Sequence, residues 1–169
     1  MSKRQAVVAE LPRLRRYARA LLKDPVAADD LVQDCLERAL SRLSLFKAGT
    51  NMRSWLFTIM HNLHVNAVYR RRRAPDGQPL TPDVENGVVV QADQTTGLVA
   101  RDISRALDQL PDEQRHVVLL VGLEEMSYKK TAEILGVPMG TVMSRLARGR
   151  ERLRHLMEGD DPTVLRRVK

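Results

Sequence analysis

The stretch GVPMGTVMSRLARGRERLRHL, residues 136–156, decides the fold of the second half of this chain. On a helical wheel of 100° per residue, it has one apolar side and an adjoining side rich in arginine. The apolar side holds Val142, Leu146, Gly149, Leu153 and Leu156, and the arginine-rich side holds Thr141, Ser144, Arg145, Arg148 and Arg152. This separation predicts a helix that buries one stripe and presents the other to a polyanion.

A shorter helix is predicted immediately before it. Residues 127–135, SYKKTAEIL, begin with Ser127, a favoured N-cap, and Gly136 follows as a left-handed stop. Pro138 then favours the start of the next helix. Two helices joined by a short turn predict a helix-turn-helix, whose second helix lies in the major groove of DNA. A solvated basic helix in an ordinary bundle is the alternative interpretation of the same charges.

Charge is distributed unevenly along the 169 residues, whose formal net charge is +7. Residues 1–73 hold 15 Lys and Arg against 6 Asp and Glu, residues 74–96 hold 4 acids and no base, and residues 97–169 hold 13 bases against 11 acids. This pattern indicates a polyanion bound at two places. A single cysteine, Cys35, excludes an internal disulfide and fits a reducing cytoplasm. No apolar run reaches the length of a membrane span.

Helical periodicity fills residues 1–73 and contributes to the prediction of an all-α fold. Helices are predicted over residues 5–23, 27–43 and 52–73, with the loop FKAGTN at 46–51. The inward residues are expected to be Val8, Leu11, Leu14, Ala18, Leu21 and Leu22, then Leu31, Val32, Cys35, Leu36, Ala39, Leu40 and Leu43, then Met52, Trp55, Leu56, Ile59, Met60, Leu63 and Ala67. Those left outward on the third helix are Thr58, His61, Asn62, Val65 and Tyr69. The arginines at 70–73 exceed what the helix dipole requires and indicate contact with phosphate.

Residues 74–96 break every periodicity with three prolines and two glycines, and predict a flexible acidic linker. Fully extended, these 23 residues span at most about 75 Å. The helical pattern resumes at Gly97, with one helix ending at Pro111 and another capped by Asp112. Its expected buried residues are Val99, Ile103, Ala106, Leu107 and Leu110, then Val117, Val118, Leu120 and Val121. The predicted organisation is therefore two small helical domains, 1–73 and 97–159, a linker at 74–96 and a tail at 160–169.

The sequence shows no recognisable catalytic motif or complete metal site. His61 and His64 lie three residues apart on a predicted helix, but no cysteine or acid joins them in the sequence to complete a zinc site. Glycine-rich phosphate loops, nucleophile motifs and acid–base pairs are not recognisable. We therefore expect no metal, no cofactor and no enzymatic activity.

Three segments together resemble regions two and four of the extracytoplasmic-function (ECF) sigma factors, which belong to the sigma-70 family of bacterial RNA polymerase. They are DDLVQDCLERAL (29–40), FKAGTNMRSWLFTIMHNLHVNAVYRRRR (46–73) and LDQLPDEQRHVVLLVGLEEMSYKKTAEILGVPMGTVMSRLARGRERLR (107–154). The motifs DLVQ, WLFTI followed by HN, LPDEQR and GTVMSR occur in that order and spacing, which makes the resemblance specific. It implies a region 2 bundle over 1–73 and a region 4 helix-turn-helix over 97–159.

The resemblance also implies a role for individual residues. Asp30, Gln33, Asp34 and Glu37 would dock on core RNA polymerase. Recognition and melting of the minus-ten promoter element, with a base flipped into the FKAGTN loop, would involve Phe46, Lys47, Gly49, Thr50, Asn51, Trp55, Asn62, Tyr69, Arg71 and Arg72. Thr141, Ser144, Arg145, Arg148 and Arg152 would read the minus-thirty-five element. Lys129 and Lys130 stand where acids are common in the family, which adds positive charge beside the recognition helix. Met143 stands where many members carry a basic residue, so base preference does not carry over at that position.

The function implied is that of a promoter-specificity subunit acting in the cytoplasm with core RNA polymerase and promoter DNA. The resemblance further implies control by an anti-sigma protein. A helix-turn-helix regulator acting without polymerase is the alternative. It explains residues 138–154, but leaves the polar face within 29–40 and the FKAGTN loop without a purpose.

Overall fold

A computed structural model of the chain describes residues 1–74 and 94–159, and these form seven α-helices without a strand. The helices are α1 (Lys3–Leu21), α2 (Pro25–Ser41), α3 (Met52–Arg73), α4 (Gln94–Asp108), α5 (Asp112–Val118), α6 (Tyr128–Leu135) and α7 (Met139–Glu158). A 3-10 turn, Leu43–Leu45, follows α2, and a π-helical turn, Leu119–Leu123, follows α5. The all-α prediction is confirmed. Most of the predicted linker and the whole tail lie outside the described residues, and α4 begins three residues before the predicted Gly97.

Helix caps fix where the helices of the first domain begin. Ser2 and Gln5 form a capping box at α1, in which each side chain bonds to the other residue's backbone N–H. Asp24 caps α2 through the N–H group two residues on. Asn51 caps α3 by accepting the N–H of Ser54. The bounds predicted for α3 are confirmed because the cap that sets them is local.

The core of the first domain lies between α1, α2 and α3. Tyr17 and Phe57 meet edge to face with ring centroids 5.0 Å apart. The Cys35 thiol is buried, which raises its pKa to about 12, and it serves as small core filler. The buried residues of this core are Val7, Leu14, Tyr17, Ala18, Leu21, Ala28, Leu31, Val32, Cys35, Ala39, Leu56, Phe57 and Met60.

Two of the predicted core positions in this domain are wrong, and one core residue is missing from the prediction. Val8 is 64% exposed and its neighbour Val7 is buried, because Val7 lies in register with Leu14 seven residues later. Leu40 is 48% exposed, since the face of α2 that packs runs through the preceding residue. Phe57 was not expected in the core, although it fills the space between α1 and α3.

The second domain contains the predicted helix-turn-helix as α6 and α7. Ser127 caps α6 by accepting the N–H of Lys130, and Gly136 ends it in the left-handed conformation with φ 65°. A Cβ at Gly149 would stand 2.7 Å from the Val118 side chain, so α7 approaches α5 as closely as glycine permits. The cap, the stop and the turn are therefore confirmed.

The burial predicted for α4 and α5 needs correction. Val99 and Ile103 are 50% and 43% exposed, because the packing of α4 is concentrated at its C-terminal end, where Ala106 is buried and Leu107 is half-buried. Asp112 is the first helical residue of α5 and not its cap, since Pro111 occupies the cap position without a side-chain hydrogen bond. Leu119, which was not predicted, is buried, whereas Val118 and Val121 are half-buried.

The two domains pack directly against each other. Helix α6 contacts α3, and the π-helical turn contacts α1. Four side chains of the second domain belong to the same apolar cluster as the core of the first: Leu119, Leu120, Met126 and Ile134. The described chain therefore has a closed arrangement of its domains, which no local sequence pattern indicated.

Glu125 is the one non-glycine residue with positive φ, at 55°, in the part of the chain that the structure describes. Because a left-handed conformation costs an L-residue about 1–2 kcal/mol, we expect Glu125→Gly to raise the free energy of unfolding by about 1 kcal/mol in urea denaturation. Glu133→Gly, in the exposed interior of α6, is the control and should lower it by about 1 kcal/mol. An unchanged or lower stability of Glu125→Gly would show that this turn stores no strain.

Candidate nucleic-acid and polymerase interfaces

Helix α7 carries the predicted recognition face. Its buried side, Val142, Leu146 and Gly149, packs on the domain, and the predicted recognition residues lie on the adjoining side. Ser144, Arg148 and Arg152 are exposed, and Thr141 is half-buried. Arg145 is half-buried because its Nη2 lies 3.5 Å from Glu113 Oε2 on α5. Helix α7 therefore presents an arginine-rich face, but one of its arginines, Arg145, already pairs with an acidic residue of the same chain.

The FKAGTN loop is a preformed turn anchored at its first residue. Phe46 is only 8% exposed and packs on Trp55, and its carbonyl oxygen accepts the Lys3 ammonium at 2.9 Å. Gly49 has φ 89°, which glycine adopts without strain. The exposed residues are Lys47, Ala48, Gly49, Thr50 and Asn51. The Phe46 ring therefore holds the loop in place, and the exposed residues are the ones that can meet a base.

Helix α3 extends the same surface. Asn62 is exposed on the side of α3 away from the core. Farther along, Tyr69 is half-exposed and lies under the Arg73 guanidinium, 4.3 Å from its ring centroid. Arg71 and Arg72 are exposed beside it. The FKAGTN loop, the Asn62 amide and the arginines at the end of α3 therefore follow one another along one edge of the first domain.

The predicted polymerase face lies on α2 and is fully accessible. Asp30, Gln33, Asp34 and Glu37 are all exposed, and Gln33 Nε2 donates to Glu37 Oε1 at 3.4 Å. This face lies opposite the buried side of α2, so it forms a polar stripe on the surface of the bundle.

Three histidines meet between the domains, which the sequence did not indicate. His61, expected to point outward, stands edge to face with His116 of α5 at 5.1 Å, and His64 does so at 5.3 Å. Burial, followed by the charge of His64, lowers the pKa of His61 to about 4. Burial, followed by neighbouring histidines and arginines, lowers that of His116 to about 3. The pKa of His64 is lowered as well, mainly by burial.

These histidines line an open cavity of about 390 Å³ between α3, α5 and α7. Its other lining residues are Val65, Val68, Tyr69, Arg72, Asp112, Glu113, Leu135, Val137 and Arg145. Within residues 1–74 and 94–159, no group of three or more histidines, cysteines or acids is arranged to hold a metal ion. A helix that is both long and apolar enough to cross a membrane is not found in the same residues.

A buried carboxylate joins the domains on another side. Glu124, in the second domain, has no solvent exposure, and its Oε1 accepts two hydrogen bonds from Arg16 at 3.1 and 2.9 Å. Its Oε2 lies 3.6 Å from Arg13 Nη1. Arg115 adds a further link, since it donates to three carbonyl oxygens at and after the end of α4 and, at 3.4 Å, to that of Leu21 in α1. Spacing along the sequence gave no sign of these contacts.

Each of the two domains matches a family of known proteins. Residues 7–61 match the family described as the Sigma2 domain of PhyR, and residues 100–153 match Sigma-70, region 4. The ECF RNA polymerase sigma factor EcfG of Rhodopseudomonas palustris (strain TIE-1) is 38% identical over 159 residues, which cover 94% of this chain and 87% of the relative. SigM of Mycobacterium tuberculosis is 38% identical over 145 residues, or 85% and 71% of the two chains.

Among solved structures, the sigma factor RpoE in complex with the anti-sigma factor NepR from Bartonella quintana matches with a TM-score of 0.79 and 34% identity. The match covers 91% of this chain and 95% of that one. CnrH, in complex with the cytosolic domain of CnrY, matches with a TM-score of 0.68 and 26% identity over 93% and 88% of the two chains. Sequence, family and structure agree over both domains, and the chain belongs to the ECF family of sigma factors.

Proposed function

We propose that this chain directs core RNA polymerase to a set of promoters in the bacterial cytoplasm, as an initiation factor and not as an enzyme. The observation that carries the proposal is that one chain holds a sigma region 2 and a sigma region 4 in that order. Each domain supplies a basic surface that suits a promoter element, and α2 supplies a surface for the polymerase.

Docking on the polymerase is assigned to the polar stripe of α2. Asp30, Asp34 and Glu37 present three carboxylates on an accessible helix face, which suits a basic partner surface. A helix-turn-helix regulator acting alone has no use for this stripe, whereas an initiation factor requires one.

Recognition of the minus-ten element is assigned to the turn at 47–51 and the adjoining edge of α3. A flipped base loses its stacking and pairing at a cost of about a few kcal/mol, which a pocket must offset by new contacts. The turn offers the Lys47 ammonium and exposed polar groups, and Phe46 keeps it in place. Asn62 lies beyond the turn on the same helix, and Arg71 and Arg72 supply charge for the phosphates.

Recognition of the minus-thirty-five element is assigned to the first turns of α7. Thr141, Ser144, Arg145, Arg148 and Arg152 share its outward side. Arginine pairs with guanine edges in the major groove, and each good pair contributes about 1–3 kcal/mol of discrimination. Before it can do so, Arg145 must leave Glu113.

Control by an anti-sigma protein is part of the proposal. Two solved relatives with at least 26% identity were captured with an anti-sigma factor or with a CnrY domain. The test is copurification of the chain from its host, followed by competition of the recovered partner with core polymerase. If no such competitor is recovered, control by an anti-sigma protein is refuted, and the proposed role in initiation is unaffected.

The initiation role itself is tested by run-off transcription on a library of genomic promoters. Core polymerase with the chain should give discrete transcripts, and core polymerase alone should not. A variant with Asp30→Lys and Asp34→Lys should lose both the transcripts and retention on immobilised polymerase. Specific footprints by the free chain, without any polymerase binding, would establish the stand-alone regulator instead.

Replacing Arg145 or Arg148 by Ala should weaken discrimination between minus-thirty-five variants by about 1–3 kcal/mol each, since each removes a base-edge donor. Competitive transcription from pairs of promoter variants measures this. Arg150→Ala is the matched control, because it removes the same charge from the other side of α7. Equal loss on all promoters, for all three variants, would assign these arginines to phosphate contact alone.

Exchanging residues 47–50 for those of another ECF sigma factor should transfer that factor's minus-ten preference and leave minus-thirty-five preference unchanged. Phe46 and Asn51 are retained so that the anchor and the α3 cap survive. The measurement is transcription from promoters that vary at one element at a time. If the loop exchange alters only total activity, the turn at 47–51 does not form the pocket that reads the flipped base.

A further inference from the structure

The first turns of α7 carry an exposed row of apolar residues beside those assigned to base reading. Met139, Met143 and Ala147 are exposed and lie four residues apart, so they follow one another along one side of the helix. Met139 and Met143 are each 51% exposed. We name these three residues the apolar row. It is separate from the buried side of α7, where Val142 and Leu146 join the core.

The apolar row occupies the part of a helix-turn-helix that approaches base edges. Met139 is the first residue of α7, and Met143 lies one turn later. The second helix of this motif lies in the major groove and contacts base edges with its N-terminal residues. Ser144 and Arg148, exposed on the adjoining side, are already assigned to that groove. The apolar row therefore enters the groove together with them.

Gly140 leaves room for such an approach. A Cβ built on this residue would meet no atom outside its own helical turn within 4 Å, so packing within the chain does not require a glycine here. Its φ is not positive, so backbone conformation does not require one either. Gly149 differs, since a Cβ there would stand 2.7 Å from the Val118 side chain. A glycine that neither packing nor conformation requires suits the close approach of another molecule to the helix.

The charges beside the apolar row favour a polyanion as its partner. Arg148, Arg150 and Arg154 are exposed in the turns that follow Met143. Among the described residues, none of these three arginines has an ion-pair partner. Apolar side chains next to free cations suit a surface that presents phosphates and apolar groups together. Duplex DNA is such a surface, because its major groove displays the C5-methyl group of thymine between two phosphate backbones.

The chemistry of methionine selects this methyl group among the features of a base edge. The Met143 side chain has no hydrogen-bond donor, so it cannot read the acceptors of guanine as an arginine does, and its sulfur is only a weak acceptor. Thymine alone among the four bases presents a methyl group in the major groove, where apolar side chains contact it. A flexible and polarisable side chain adapts readily to such a contact.

We propose that Met143 reads the C5-methyl group of a thymine in the minus-thirty-five element, and that Met139 and Ala147 exclude water beside the contact. This inference rests on the proposed function and adds a second kind of recognition to α7. The arginines read hydrogen-bond acceptors, and Met143 reads a methyl group. The contact specifies a T·A pair at one position of the element.

The test replaces the thymines of the minus-thirty-five element by uracil, one at a time and on either strand. Uracil keeps every hydrogen-bonding group of thymine and lacks only the C5-methyl group. Competitive run-off transcription by the full chain with core polymerase compares each uracil template with its thymine parent. At one position, uracil should lower initiation by the wild type about fourfold, which corresponds to about 0.8 kcal/mol for one buried methyl group.

Three variants assign this effect to Met143. Met143→Ala should not respond to uracil at that position, because it lacks the side chain that meets the methyl group. Met143→Leu keeps an apolar side chain and should still respond. Met157→Ala is the matched control and should behave like the wild type, because it removes the same side chain from a site 43% exposed near the far end of α7. Alanine and leucine are strong helix formers, so all three variants should keep the fold.

Two results overturn the inference and leave the proposed function intact. One is promoter-directed transcription that responds to uracil at no position, or that uses a minus-thirty-five element without thymine on either strand. The other is an equal response in the wild type and in Met143→Ala, which would assign the methyl contact to another residue. If the first result is joined by a loss of polymerase retention in Met143→Ala, the apolar row meets a protein instead of DNA. Absence of promoter-directed transcripts from every template would refute the proposed function, and this inference with it.

Discussion

The pairing of the buried Glu124 carboxylate with Arg13 and Arg16 is the contact on which the arrangement of this chain depends. The apolar cluster that spans both domains supplies a non-directional attraction, which alone would tolerate several relative positions. An ion pair with one buried partner is directional, because any other position leaves the carboxylate without a cation. The pair therefore fixes the position in which His116 is buried and Arg145 faces the first domain.

The surfaces proposed for function differ in their relation to this interface. The polar stripe of α2 is exposed in the present arrangement of the domains. On α7, Arg145 lines the cavity between the domains together with Tyr69 and Arg72 of α3, whereas Ser144, Arg148 and Arg152 are exposed.

Features set by neighbouring residues could be predicted from the sequence. Local hydrogen bonds and backbone angles, within a few residues, explain the effects of Ser127, Gly136 and Asn51. The predictions of the helix-turn-helix and of the start of α3 are therefore confirmed. The burial of Val7 in place of Val8, and the exposure of Val99, depend on which side of a helix meets another helix. Amphipathic periodicity locates such a side only to within about one residue.

The contacts between the two domains could not be predicted from the sequence. Arg16 and Glu124 are 108 positions apart, and neither stands in a motif that would connect them. His61 was assigned to the solvent face of α3 because its partner, His116, lies on a helix of the other domain. Phe46 belongs by position to the FKAGTN loop, and its burial against Trp55 was not indicated by the sequence. In each case a distant segment of the chain decided the environment of the side chain.

The account is tested most directly by the distance between α2 and α7. Spin labels placed on exposed residues of the two helices, such as Arg38 and Glu151, allow that distance to be measured by pulsed electron paramagnetic resonance. The account predicts one narrow distance distribution in the free chain, because the Glu124 carboxylate pairs with Arg13 and Arg16 of the other domain. A broad distribution in the free chain would contradict it.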